Sequence, residues 1–185
     1  MNVVPTELPG VLLVQPAVAR DGRGFFFEAY SAERYAAAGI PDVFVQDNVS
    51  RSPRGVLRGL HFQHPHGQAK LVQVLSGEVF DVVVDVRSGS PTFGRWIGRC
   101  LSSENKHQLY IPAGFAHGFL VTSDEALFAY KCTDYYAPAA ERAVRWDDPA
   151  IGIEWPAAVE TVSARDREAV TLDHMPPEWL PPYNG

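Results

Sequence analysis

The segment AKLVQVLSGEVFDVVVDVRSGSP, Ala69 to Pro91, reads as two strands with the turns that end them. Ala69–Leu75 and Glu78–Val86 are short runs rich in β-branched residues. Ser76-Gly77 separates them and Ser88-Gly89-Ser90-Pro91 stops the second. Branched and aromatic side chains fit a pleated surface, whereas Gly, Pro and Ser supply the backbone freedom or rigidity of turns. The same pattern extends in both directions. Val43–Val49 and Gly55–Gln63 precede the segment, and Arg95–Leu101, His107–Ile111, Phe115–Thr122 and Ala126–Thr133 follow it. Ser52-Pro53-Arg54-Gly55, Pro112-Ala113-Gly114 and Thr122-Ser123-Asp124 mark further breaks. No helices alternate with these runs, which excludes a doubly wound α/β fold and predicts an all-β double-sheet jelly roll or β-barrel.

One short helix is expected before the strands, over Ser31–Ala38. Ser31 is placed to cap it, Gly39 suits the residue past its end, and Pro41 cannot continue it. Upstream lie the apolar run Gly10–Ala19, the turn Asp21-Gly22-Arg23-Gly24 and an aromatic strand candidate, Phe25–Tyr30. Beyond Pro138 the pattern loosens. Pro176, Pro177, Pro181 and Pro182 predict an extended surface tail over 171–185, behind a core of about 5–170 in a single domain.

Composition narrows the class. With 46% hydrophobic and 21% charged residues among 185, the chain can bury a core of ordinary size without disulfides or a structural metal. The net charge of −6 and the lack of a Lys/Arg cluster argue against nucleic acid as partner. No uncharged apolar run approaches the roughly 18–20 residues that span a bilayer, and Met1–Gly10 lacks the basic start of a signal peptide. Cys100 and Cys132 sit in strand-like apolar stretches and are expected to be buried reduced thiols. A cytoplasmic protein is expected, so the Asn48-Val49-Ser50 sequon is expected to stay unmodified.

Histidine leads to the chemistry. His61, His64 and His66 fall within six positions, and His117 follows the Pro112-Ala113-Gly114 turn. A metal reading needs a carboxylate a few residues past His66, but the chain places Lys70 there, and an ammonium has no lone pair to donate. His64 and His66 therefore read as solvated residues flanking Pro65 in a loop, and no metal is expected. His61 lies within an apolar strand, with Arg58 three residues before it and Lys70 nine after it. A strand period of two puts Arg58 and His61 on opposite faces unless a bulge at Gly59 brings both inward. Tyr130 is a phenol on another strand. Together they suggest proton abstraction next to a carbonyl: His61 as base, Lys70 on the developing oxyanion, Tyr130 as proton donor, and Arg58 on an anionic handle. Such chemistry requires no redox cofactor.

Several segments resemble the dTDP-4-dehydrorhamnose 3,5-epimerase (RmlC) family. They are Asp21-Gly22-Arg23-Gly24-Phe25-Phe26-Phe27-Glu28, Val45-Gln46-Asp47-Asn48, Val56-Leu57-Arg58-Gly59-Leu60-His61-Phe62-Gln63 and Ser90-Pro91-Thr92-Phe93-Gly94. Ser103-Glu104-Asn105-Lys106, the run from Ile111 to Phe119, and Gly152-Ile153-Glu154-Trp155-Pro156 extend the match over about residues 5–170. The resemblance implies a cupin-type jelly roll and a homodimer whose N-terminal strands cross to the partner. It further implies a metal-free isomerase acting on dTDP-4-dehydro-6-deoxy-α-D-glucose. By that resemblance His61 is the base, Tyr130 the acid, Asp166 the carboxylate paired with His61, and Lys70 the enolate stabiliser. Arg23, Glu28, Gln46, Asp47, Asn48, Arg58, His117, Glu141 and Arg165 fall on nucleotide-sugar contacts, and Tyr136 on the aromatic that stacks on thymine. The alternatives are a single-centre 3- or 5-epimerase, a metal-dependent cupin oxygenase or isomerase using His61, His64, His66 and His117, and a non-catalytic sugar-nucleotide binder.

Overall fold

The computed structural model describes residues 1–184. It opens with β1 (Asn2–Pro5), β2 (Leu12–Gln15), β3 (Ala19–Asp21), β4 (Gly24–Phe26) and the helix α1 (Ala32–Ala37). The main strands follow: β5 (Gln46–Pro53), β6 (Val56–Gln63), β7 (Lys70–Ser76), β8 (Glu78–Asp85), β9 (Trp96–Ser102), β10 (Gln108–Ile111), β11 (Phe115–Val121) and β12 (Glu125–Cys132). β13 (Glu141–Ala143), β14 (Thr161–Val162), the short helix α2 (Ala164–Arg167) and two 3₁₀ turns, Leu172–His174 and Pro177–Trp179, complete it. Two sheets carry the fold, in the orders β1-β2-β10-β7-β12-β5 and β13-β6-β11-β8-β9. β14 lies parallel to β6, and β3 and β4 form a separate hairpin. This is the all-β jelly roll with short helices that the strand pattern predicts.

Each of the eight strand runs overlaps one of β5–β12, but some boundaries differ. β5 starts at Gln46 and continues through Ser52 and Pro53, so the turn is confined to Arg54-Gly55. Proline is tolerated because β5 is an edge strand, where one side of the backbone needs no ladder partner. The loosely patterned C-terminal third also supplies two short strands. Both pair with β6 and are too brief to leave a periodic signal.

β8 is buried on both faces. Its odd positions, Val79 and Val83, join Val72, Val74, Phe119 and Phe128 between the sheets. Its even positions, Val82 and Val84, pack outward against Leu60, Ile151, Leu172 and Met175. The Pro-rich tail is therefore not a free extension: Leu172 and Met175 are core residues, and Ser88 bridges Pro182. Helix α1 covers the outer face of the first sheet, burying Tyr35 and Ile40 against Val14, Leu71 and Tyr110. Ser31 has the extended backbone of a cap, but its side chain makes no capping bond. Gly39 takes φ +93 and closes the helix end as expected. Of the two thiols, Cys132 is buried, whereas Cys100 is exposed on the edge strand β9 because its side chain falls on the solvent face.

Candidate active site

The predicted bulge sits at Gly59. On β11, His117 pairs with His61 and Phe119 with Arg58, so Gly59 and Leu60 together oppose Gly118. Gly59 takes φ +122, a backbone state that side chains disfavour. Its Cα approaches Gly118 so closely that a Cβ on Gly59 would stand 2.6 Å from the Gly118 Cα. The extra residue resets the strand's alternation, and Arg58 and His61 both line one cavity between the sheets.

That cavity has a volume of about 520 Å³. The second sheet contributes Arg58, His61 and His117, and the first contributes Lys70, Phe128 and Tyr130. A neighbouring cavity of about 290 Å³ shares His61, Lys70 and Tyr130, and extends the cleft past Gln46, Asn48, Tyr136 and Glu141. The base and acid candidates thus come from opposite sheets and face each other across the cleft.

His61 Nε2 lies 2.5 Å from Asp166 Oδ1, and the Gly59 N–H donates to Asp166 Oδ2 at 3.3 Å. Asp166 is 3% exposed. Burial would raise its pKa, but the hydrogen bond and charge of His61, then the Gly59 amide, hold the carboxyl below its ordinary value. Asp166 is the residue that pattern reading alone does not find. A local signal does exist: Ser163-Ala164-Arg165-Asp166 is a capping sequence, and Ser163 Oγ accepts the Asp166 N–H at 3.1 Å. That signal locates the start of α2 but cannot say that α2 abuts the β6 bulge.

A second pair lies beside the first. His117 Nε2 stands 2.9 Å from Asp81 Oδ2, and Asp81, fully buried, has no partner for Oδ1 among the described residues. Burial pushes the Asp81 carboxyl up, against the pull of His117 and Lys70. Asp81 supports the site from behind His117, and in sequence nothing local marks it out, since it is one acidic residue within a valine-rich strand. Lys70 has its pKa lowered by desolvation, opposed by Cys132, Glu141 and Asp81. Burial raises the Tyr130 phenol, with Cys132 and Glu141 adding to the effect.

Around the second cavity the contacts form a chain. Tyr136 Oη donates to Glu141 Oε2 at 2.6 Å, and Arg165 pairs with the same oxygen. Gln46 donates to Asn48 at 3.0 Å and accepts the Tyr136 N–H at 3.0 Å. Asp47 does not join them. Strand alternation turns it outward between Gln46 and Asn48, where it pairs with Lys131 at 3.0 Å. Arg23 and Glu28 also lie outside both cavities. Arg23 pairs with Asp21 on the exposed β3–β4 hairpin, and Glu28 pairs with Arg34 at 3.4 Å. His64 is half-buried and His66 exposed in the loop after β6. Among the described residues no three His, Cys, Asp or Glu side chains converge as metal ligands, because His61 and His117 each face a single carboxylate.

Known proteins match this chain over nearly all its length. The family model described as dTDP-4-dehydrorhamnose 3,5-epimerase matches residues 5–174. A dTDP-4-dehydrorhamnose 3,5-epimerase of Pseudomonas aeruginosa is 54% identical over 170 residues, covering 91% of this chain and 94% of that protein. The crystal structure of an epimerase from Legionella pneumophila, in complex with dTDP-4-keto-L-rhamnose, superposes with a TM-score of 0.97 at 51% identity. It covers 100% of this chain and 99% of the other. A dTDP-4-dehydrorhamnose 3-epimerase of Streptomyces niveus is 42% identical over 174 residues, covering 93% of this chain and 84% of that protein. No helix among the described residues is long and apolar enough to cross a membrane.

Proposed function

This chain belongs to the dTDP-4-dehydrorhamnose 3,5-epimerase family of isomerases, and from that premise we propose that it inverts C3 and C5 of dTDP-4-dehydro-6-deoxy-α-D-glucose in the cleft between its two sheets. The observation that carries this reading is the His61–Asp166 pair on one wall, opposite Tyr130 and with Lys70 between the sheets. Nε2 of His61 is committed to Asp166, which leaves Nδ1 for a substrate proton. His61 takes the proton from the carbon beside the C4 ketone, and the electron pair moves onto the ketone oxygen. Lys70 supplies positive charge to that enolate oxygen. Tyr130, kept protonated by burial, returns a proton to the opposite face of the same carbon and regains one from solvent. C3 and C5 both flank one ketone, so a single enolate-stabilising group serves both centres.

Arg58 and His117 are assigned to the phosphates and sugar, Gln46, Asn48, Glu141 and Arg165 to the nucleotide side, and Tyr136 to the thymine ring. The chain acts as one domain in the cytoplasm. It pairs with a second copy whose N-terminal strands bring Arg23 and Glu28 to the neighbouring cleft. Phe26, Val43 and Val49, exposed at 76%, 75% and 62%, favour such a partner, since isolated domains seldom leave so much apolar surface in water. Sedimentation showing a monomer at working concentration would remove that part of the proposal.

The deciding experiment is turnover in deuterated water. Two deuterium atoms in the product, at C3 and C5, are expected. One would favour the single-centre reading, which the likeness to the Streptomyces niveus 3-epimerase keeps in view. None would sink both and leave a binding protein.

A further inference from the structure

β5 turns a polar side chain toward the cleft at every second position: Gln46, Asn48, Ser50 and Ser52. Ser52 is the most deeply placed, 2% exposed on an edge strand whose neighbours are largely solvated. A buried hydroxyl costs stability unless it is paired, and this one has a specific partner. Arg58 Nε donates to Ser52 Oγ at 3.0 Å. The bond joins the two sheets, since Ser52 pairs with Ala126 in one and Arg58 with Phe119 in the other.

The consequence lies in what the bond leaves open. Among the described residues Arg58 has no carboxylate partner, and neither of its terminal nitrogens has a protein acceptor. Arg165, by contrast, is already paired with Glu141. Arg58 is otherwise exposed, and a guanidinium tethered at Nε keeps its two-pronged edge free, which is the edge that can meet two phosphate oxygens. We propose that Ser52 is the positioning residue for Arg58, ordering its guanidinium for the diphosphate before the nucleotide sugar arrives. This rests on the functional reading above, in which Arg58 meets the anionic handle of the substrate. An arginine already tethered at one nitrogen loses less rotamer freedom on binding, so the benefit falls on affinity and not on the proton transfers.

The test is calorimetric binding of dTDP together with steady-state turnover of the dTDP-4-keto sugar, for wild type, Ser52→Ala, Ser52→Cys, Arg58→Ala and the Ser52→Ala/Arg58→Ala double variant. Cysteine keeps the side chain's bulk but accepts a hydrogen bond poorly. Both Ser52 variants are expected to raise the dTDP Kd and the KM about three- to tenfold, with kcat within about twofold of wild type. On the Arg58→Ala background the Ser52 change should add less than about twofold, because the group it positions is gone. An unchanged Kd in Ser52→Ala overturns the proposal. So does a Ser52→Cys variant that binds like wild type, which would mean packing alone, or a full additive loss in the double variant. Wild type that binds dTDP without turning over the sugar would sink the catalytic reading and leave this inference standing on the Kd values. Wild type that binds no dTDP would overturn both.

Discussion

Asp166 grips the β6 bulge at two points, with Oδ1 2.5 Å from His61 Nε2 and Oδ2 accepting the Gly59 N–H at 3.3 Å. The carboxylate that orients the proposed base is thus held by the backbone irregularity that turns the base inward. Asp166→Asn keeps the shape but removes the charge and can present an N–H to the imidazole, reversing its tautomer. The expected result is a fall in kcat of about 10²–10⁴-fold with dTDP affinity retained. His61→Ala should abolish deuterium incorporation. Exchange at the wild-type rate in either variant would refute the assignment.

The alkaline limb of the rate profile should belong to Lys70. Desolvation lowers its pKa below the ordinary 10.5, so its ammonium is lost as pH rises through that lowered value, ahead of an exposed lysine. The Tyr130 phenol is displaced the other way, above 10, and stays protonated over the same range. Lys70→Arg, charged at every accessible pH, should weaken turnover but shift the limb upward. Tyr130→Phe should cut the rate and leave the limb in place. A limb that moves with Tyr130→Phe would reverse the two assignments.

Two glycines separate packing from catalysis. A Cβ on Gly118 would stand 2.6 Å from the Arg58 carbonyl oxygen and 2.9 Å from Leu60 Cδ2, whereas one on Gly98 would strike the Phe80 ring at 2.1 Å. Alanine at either site overpacks the second sheet and should cost about 1–3 kcal/mol in urea unfolding. Gly118→Ala should also displace the bulge and lower kcat at least tenfold. Gly98→Ala, on the far side of the sheet, should leave kcat unchanged. Equal activity in the two variants would show that the Gly59–Gly118 contact is irrelevant to the site.

Asp85 predicts acid sensitivity remote from the cleft. Burial would raise its pKa, but Arg87 at 2.7 Å and the hydroxyls of Ser90 and Thr92, each at 2.6 Å, hold it low. With the folded value below the unfolded one, near 3.8, its stabilisation is complete above about pH 4 and is lost as pH falls through the depressed value. Asp85→Asn should cost about 2–4 kcal/mol at pH 7, less than a fully buried pair because Arg87 is partly solvated. The gap from wild type should narrow on acidification while kcat stays the same. A gap that widens toward low pH would contradict this account.

The strand runs, the turns between them, the α1 stop at Gly39 and the Gly59 bulge were legible because each depends on neighbours within a few residues. The motif around Arg58 and His61 identified the base candidate for the same reason. What the chain by itself could not determine is which distant groups meet. His61 and Asp166 are 105 residues apart, and His117 and Asp81 are 36 apart. A carboxylate's environment is set by what folds against it, so Asp166 looks like a surface residue and Asp81 like an interruption in a strand. Asp47 shows the converse: it shares a motif with Gln46 and Asn48, yet strand alternation turns it away from them. Sequence determined the strands, the bulge and the chemical types available. Tertiary structure decided which of those groups lost water together, and desolvation with pairing is what gives a side chain its charge state and its role.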